Sequence, residues 1–228
     1  MTTNTQTMTI APEVLPAHTP AERLARGGGW WTLLLAVLML IAVTEGLNTA
    51  NWSEGLEIVR LAVLGGALLS LMLALTRWDG AFPLVYGALA SGVWIATLFT
   101  QLVFSNMTIR EGALELFQRN ANWMRALIEG TSGADNLIFV TQLSVLGWWI
   151  GYLAIWSLFR HQRLLNAVLP AGVALVVNAY YSTEPMTGYL IMYGAAVLLL
   201  AIRVELARNE ARWQMTRVRY APDITLDF

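Results

Sequence analysis

The sequence contains no cysteine and no lysine, and these two absences exclude several kinds of chemistry. Without cysteine the chain forms no disulfide, thiolate metal site or iron–sulfur cluster, and it has no cysteine nucleophile. Without lysine it has no Schiff-base amine and no P-loop lysine. All 14 cationic side chains are therefore arginine. The imidazoles are only His18 and His161, so we predict no cofactor and no metal site.

Charge of either sign is also scarce. Charged residues make up 13% of the chain and hydrophobic residues 57%, whereas soluble domains average about 25% and about 45–50%. The net charge of −1 gives no electrostatic footprint for nucleic acid. Together these values favour a membrane protein, and we predict no nucleic-acid partner and no small-molecule substrate.

Six apolar runs approach or exceed the roughly 20 residues that a helix needs to cross about 30 Å of hydrocarbon. None of them alternates apolar and polar residues as the strands of a membrane barrel do. We therefore predict an all-α integral membrane protein, a bundle of six transmembrane helices. The predicted spans are residues 30–47, 56–76, 82–104, 137–159, 164–180 and 189–204.

The arginines are distributed unevenly between the segments that connect these runs. If the N-terminus is cytoplasmic, ten arginines lie on inner segments and four on outer ones, which follows the positive-inside rule. We therefore predict a cytoplasmic tail at residues 1–26, a six-span domain at 27–204 and a basic cytoplasmic extension at 205–228. The inner arginines are Arg23, Arg26, Arg77, Arg160, Arg163, Arg203, Arg208, Arg212, Arg217 and Arg219, and the outer ones are Arg60, Arg110, Arg119 and Arg125.

One long connection, residues 105–136, has the pattern of an amphipathic helix. Thr108 and Glu111 have the spacing of a capping box, and apolar residues then recur every three or four positions. We predict a helix over about residues 107–129 that lies at the outer interface, with Trp123 as an aromatic anchor. A plug over the bundle and a partner-docking surface are the alternatives. The candidate interaction residues here are Phe117, Trp123, Met124 and Leu127.

Small residues at four-residue spacing mark two further candidate packing faces. Gly147 and Gly151 form a G-x-x-x-G pattern around Trp148 and Trp149 in the fourth run. Such spacing allows the backbones of two helices to approach closely. The pattern does not decide whether the neighbouring helix belongs to this chain or to another subunit, so all four residues are interaction candidates. Gly66 and Ser70 form a similar pair in the second run.

Polar residues within the predicted spans are few, and the charged ones lie near span ends. Glu45 and Arg60 flank the outer ends of the first two spans, where they either reach the surface or pair with each other. For Asn178 we expect a structural hydrogen bond between helices. A transport path would have to use mainly Gln142, Ser144 and Asn178, which disfavours a transporter.

Two stretches of sequence carry a likeness to a known family. Residues 146–156 (LGWWIGYLAIW) lead to residues 169–181 (LPAGVALVVNAYY), and residues 212–214, 217–220, 223–224 and 226–228 extend the match. Together they resemble the amino-terminal membrane region of bacterial membrane-anchored transglutaminase-like proteins. The likeness runs from about residue 27 onward and is most specific over residues 136–228. It implies a shared membrane fold in a bacterial cytoplasmic membrane.

In that family the membrane region precedes a further span and an extracytoplasmic Cys-His-Asp domain. Because this sequence has no cysteine, the family's nucleophile has no counterpart and no catalytic residue carries over. We therefore predict a non-catalytic, multi-pass accessory subunit that binds lipids and other membrane proteins, with an electron-transfer assembly as one host. The alternatives are the anchor fragment of a transglutaminase-like enzyme and a small transporter or channel.

Overall fold

A computed structural model describes residues 29–78, 80–131 and 135–216, with side chains described up to residue 209. The predicted tail at residues 1–26 lies outside the described residues, as does the end of the predicted extension at residues 217–228. The described part of the chain contains seven α-helices and no strand, which confirms the predicted fold class. Its helices are α1 (Gly29–Ala50), α2 (Leu56–Ala74), α3 (Phe82–Leu102), α4 (Ile109–Ile128), α5 (Asn136–His161), α6 (Leu164–Tyr181) and α7 (Thr187–Thr216).

All helices except α4 are long and apolar enough to cross a membrane. The six-span, multi-pass architecture predicted from the apolar runs is therefore confirmed. The last helix is the one that differs most from its apolar run, because it continues from the predicted end at residue 204 to Thr216. Residues 205–216 contain no glycine or proline, so nothing in the sequence interrupts the helix as it leaves the apolar segment.

The most extensive helix contact in the bundle joins α2 to α5. A Cβ added to Gly66 of α2 would lie 2.3 Å from the carbonyl oxygen of Trp148, and one added to Gly151 of α5 would lie 2.1 Å from that of Val63. Both distances are far below van der Waals contact, so glycine is required on each side. The predicted small-residue faces thus meet each other within this chain.

The remaining spans surround this pair. Helix α3 packs against α2 and α5, while α1 and α6 complete a ring with α2 and α5, and α7 packs against α1 and α6. The hydroxyl of the fully buried Tyr152 donates a hydrogen bond of 2.7 Å to the carbonyl of Pro83 at the start of α3. That bond ties α3 to the central pair.

Two polar contacts join spans at the end of the bundle that carries α4, which we call the α4 end. Arg60 of α2 lies 2.8 Å from Glu45 of α1, so these two residues pair as one of the two expectations had it. Thr49 and Tyr189 share a hydrogen bond of 2.7 Å between α1 and α7. At the opposite end, Arg208 donates to the carbonyl of Gln162.

The close approach of α2 and α5 predicts a position-specific effect of adding one methyl group. We expect Gly66→Ala and Gly151→Ala each to lower the free energy of unfolding by about 1–3 kcal/mol, because the new Cβ overlaps a backbone carbonyl. The matched control is Gly92→Ala in α3, where nothing lies within 4 Å of the added Cβ. That variant should be neutral or stabilising by up to about 1 kcal/mol.

Reversible unfolding in mixed micelles measures these differences. If Gly92→Ala and Gly151→Ala changed the free energy of unfolding equally, the packing role of the glycines would be refuted.

Candidate functional site

The first turn of α4 is fixed by the predicted capping box. The backbone N–H of Glu111 donates to the Thr108 hydroxyl at 3.3 Å, and the Glu111 carboxylate accepts from the Thr108 backbone N–H at 2.8 Å. The backbone N–H and the hydroxyl of Thr108 both donate to the Glu111 carboxylate, and they hold the pKa of Glu111 below its ordinary value of 4.5 because they favour the charged form. All of these groups belong to residues 108 and 111, so the residue at which α4 begins is fixed without contacts to the rest of the bundle.

Close packing against α3 then sets which side of α4 faces the bundle. A Cβ added to Gly112 would lie 2.2 Å from the Thr100 hydroxyl oxygen, so only glycine fits at this crossing. Leu116, one turn further along the helix, is buried. The two residues define the docked face of α4.

An ion pair links the middle of α4 to the start of α5. Arg119 Nε lies 3.5 Å from Asp135 Oδ2, and each side chain is about one-third or more exposed, at 40% and 33%. Exposed pairs contribute only about 0–1 kcal/mol, so this one orients α4 more than it stabilises it. The other oxygen of Asp135 caps α5 by accepting from Leu137 N at 2.9 Å.

Several large apolar side chains of α4 are exposed. We call Phe117, Met124, Leu127 and Ile128 the α4 stripe. Phe117 is 72% exposed and Ile128 81% exposed. The spacing of seven and eleven residues from Phe117 to Met124 and Ile128 places them on one side of the helix. Phe117 and Met124 thus share one exposed side of α4. Leu127 is also 48% exposed, but it stands roughly 80° from Phe117 around the helix axis, on the side of Leu116.

The fourth predicted residue of this helix, Trp123, lies elsewhere. It is half-buried and lines a cavity of about 460 Å³ between α4 and α5, together with Arg119, Asp135 and Ile138. Around the helix axis it stands roughly 120° from Phe117. The sequence pattern placed Trp123 and Phe117 in the same set of interaction candidates. Only the docked side of α4 shows that Trp123 faces α5 while Phe117 is exposed.

The candidates in α5 lie inside the membrane bundle. Gly147 faces Val59 and Val63 of α2, while Trp148 is only 2% exposed. Trp149 is half-buried and its ring lies 5.4 Å from that of Tyr152. These residues and Gly151 therefore pack against this chain's own helices.

The polar residues named for a transport path do not gather into one cluster. Ser144 is fully buried and donates to the carbonyl of Val140 in its own helix, at 2.7 Å. Gln142 is exposed and points to the opposite side of α5, since two residues turn a helix by roughly 200°. Asn178 is buried in α6, where its amide nitrogen lies 4.0 Å from the sulfur of Met186 instead of bonding a neighbouring span.

Comparisons with protein-family models, with curated protein sequences and with solved structures return no match for this chain. The resemblance to transglutaminase-like membrane regions therefore stays a prediction.

The capping box makes the start of α4 sensitive to pH. Glu111 has a lowered pKa in the folded chain. The stability that its charged carboxylate gives to the first turn of α4 is therefore present above pH 4.5 and is lost as the pH falls through the folded-state pKa. We expect the amide protection of the first turn, measured by hydrogen exchange and corrected for intrinsic rates, to fall in that acidic window.

Glu111→Gln keeps a side-chain acceptor but does not titrate, so its first-turn protection should stay constant across the same window. Glu129→Gln, at the other end of α4, is the control and should behave as the unmodified chain does. An unchanged pH dependence in Glu111→Gln would assign the effect to another group.

Proposed function

We propose that this chain is a non-catalytic, multi-pass subunit that scaffolds a larger bacterial membrane complex. The observation that carries the proposal is the α4 stripe, a row of large exposed apolar side chains on a helix that the chain itself holds in place. Exposed contiguous apolar surface of this kind marks interaction sites. Aromatic residues and methionine are enriched in the cores of protein interfaces.

The rigidity of α4 supports a protein partner. Its start is capped by Thr108 and Glu111, its docked face is fixed at Gly112, and its middle is oriented by Arg119. A surface held in one conformation loses little entropy on association, which favours binding. The apolar stripe would also suit the headgroup region of a bilayer, and the experiment below separates the two.

The charges at the two ends of the bundle support an orientation in which the α4 end is extracytoplasmic. The α4 end carries four arginines and eight carboxylates, whereas the opposite end, over residues with described side chains, carries five arginines and one carboxylate. An excess of arginine marks the cytoplasmic side of a membrane protein. The five arginines are Arg77, Arg160, Arg163, Arg203 and Arg208.

The transglutaminase-like resemblance supports a bacterial cytoplasmic membrane and an anchor fragment as the second candidate. Residues 146–156, which carry much of the likeness, form the part of α5 that packs on α2. The likeness thus falls on residues that build the bundle. The host complex, including the electron-transfer assembly named above, is a separate proposal that the partner's identity will decide.

Site-specific photocrosslinking in native membranes tests the proposed function. A benzophenone amino acid at position 117 should give a discrete adduct with one membrane protein, because this position faces away from the bundle. The same group at position 118, on the polar side of α4, is the matched control and should give none.

Introducing Met124→Ser and Leu127→Ser together should reduce the adduct at least tenfold, since interface anchors contribute 2 kcal/mol or more each, to order of magnitude. Adducts with lipid alone at position 117 would contradict the proposal and assign the stripe to the bilayer.

A further inference from the structure

An apolar groove runs between α2 and α3 on the outer surface of the bundle. It has a volume of about 420 Å³ and is lined by residues of these two helices and by Trp148 of α5, none of which is charged. Leu68, Leu89 and Val93 line it and are exposed. Because both helices are long and apolar enough to cross a membrane, the groove opens toward the hydrocarbon. Its chemistry suits an acyl chain.

Two indole rings occupy one end of this groove. Trp94 Nε1 donates to the carbonyl of Leu61 at 3.2 Å. A Cβ added to Gly65 would lie 2.5 Å from that nitrogen and 3.1 Å from Cζ3 of Trp148, so the missing side chain at position 65 makes room for both rings. From Gly65 to Met72 the groove follows α2 for about two turns, or roughly 10 Å. It therefore extends from the middle of the spans toward the end of the bundle opposite the α4 end.

At that opposite end the groove reaches the connection between α2 and α3. Tyr86 lines the groove, and its ring lies 6.0 Å from the ring of Phe82, which lies 4.6 Å from the ring of Trp78. Tryptophan and tyrosine are enriched where hydrocarbon gives way to headgroups. A lipid whose chain fills the groove would therefore place its headgroup beside this connection.

Two arginines lie at the same connection. Arg77 is exposed and forms no ion pair with any described residue. Arg160 of α5 donates from Nη1 to the carbonyl of Thr76 at 3.3 Å, and its guanidinium carbon lies 6.0 Å from the ring centre of Trp156. These contacts hold the Arg160 guanidinium next to the backbone of Arg77. With Asp79, which lies outside the described residues, two arginines and one aspartate give a net charge of +1.

We propose that the groove binds an acyl chain of an anionic phospholipid, whose phosphate lies beside Arg77 and Arg160. Arginines near a membrane surface attract anionic lipids, and basic pockets between spans bind their headgroups. A guanidinium can also donate two parallel hydrogen bonds to one phosphate. A zwitterionic lipid would fill the groove equally well, but its ammonium would meet the same positive charges.

Binding of phosphatidylglycerol and phosphatidylcholine with identical acyl chains tests the proposal, with native mass spectrometry of the full chain in detergent. We expect phosphatidylglycerol to bind about tenfold more tightly, because each arginine adds to the attraction of its net negative headgroup. Arg77→Gln should reduce that preference about fivefold. The matched control is Arg163→Gln, because Arg163 is exposed at the same end of the bundle but lies in the α5–α6 connection. It should leave the preference unchanged.

Ala90→Leu places a larger side chain in the groove and should weaken binding of both lipids about tenfold, since the added atoms exclude the chain. The matched control is Ala88→Leu on the same helix, because Ala88 is exposed and does not line the groove. It should leave both affinities unchanged.

Three results would overturn the proposal. Equal affinity of the unmodified chain for the two lipids would show that the headgroup is not recognised. An equal loss of preference in Arg77→Gln and Arg163→Gln would assign the effect to the general positive charge of this end. Unchanged binding in Ala90→Leu would place the lipid elsewhere. The comparison of the two lipids in the unmodified chain decides the question even if a variant fails to fold.

None of these readouts involves the α4 stripe, so the two proposals stand or fall separately.

Discussion

The backbone contact between α2 and α5 is the constraint on which the rest of this bundle depends. In hydrocarbon, apolar side chains gain little by leaving lipid for protein, so helices associate mainly through close packing and hydrogen bonds. Gly66 and Gly151 supply that closeness by letting each helix rest on a carbonyl of the other. Tyr152, the residue that follows Gly151, then holds α3 through its hydrogen bond to Pro83. The central pair thus positions its neighbours.

The position of the α4 stripe follows from the same arrangement. Helix α4 docks on the end of α3 through Gly112, and α3 is held in turn by α5. Asp135 adds a second connection, because one of its oxygens caps α5 while the other faces Arg119. A surface that would be mobile on an isolated helix is therefore fixed by contacts that trace back to the glycine crossing. Because these contacts hold α4 in one position, Phe117 and its neighbours form a candidate surface for specific binding.

Features that depend on one segment were readable from the sequence. The six spans follow from the length of apolar chain that a bilayer requires, and the start of α4 follows from Thr108 and Glu111 alone. The pairing of Glu45 with Arg60 was one of two expectations, because both lie near the same ends of consecutive helices. Features that depend on several segments were not readable. The G-x-x-x-G pattern could not name its partner helix, and the angle between Trp123 and Phe117 acquired meaning only once Gly112 had fixed the docked side.

A cavity of about 140 Å³ belongs to this second class, since residues of α1, α2, α5 and α6 and of the α1–α2 connection line it and no single segment encodes it. Leu146 and Val177 line it and are also exposed on the outer surface of the spans, so the space is open on one side. A Cβ added to Gly147 would lie 3.0 Å from Val63 Cγ2, so the neighbouring side chain would have to shift before a larger residue could enter the space there. Ala174 also lines the space, and a larger side chain there would occupy it. A small residue at position 174 thus leaves the space open, and no pattern within one segment marks it.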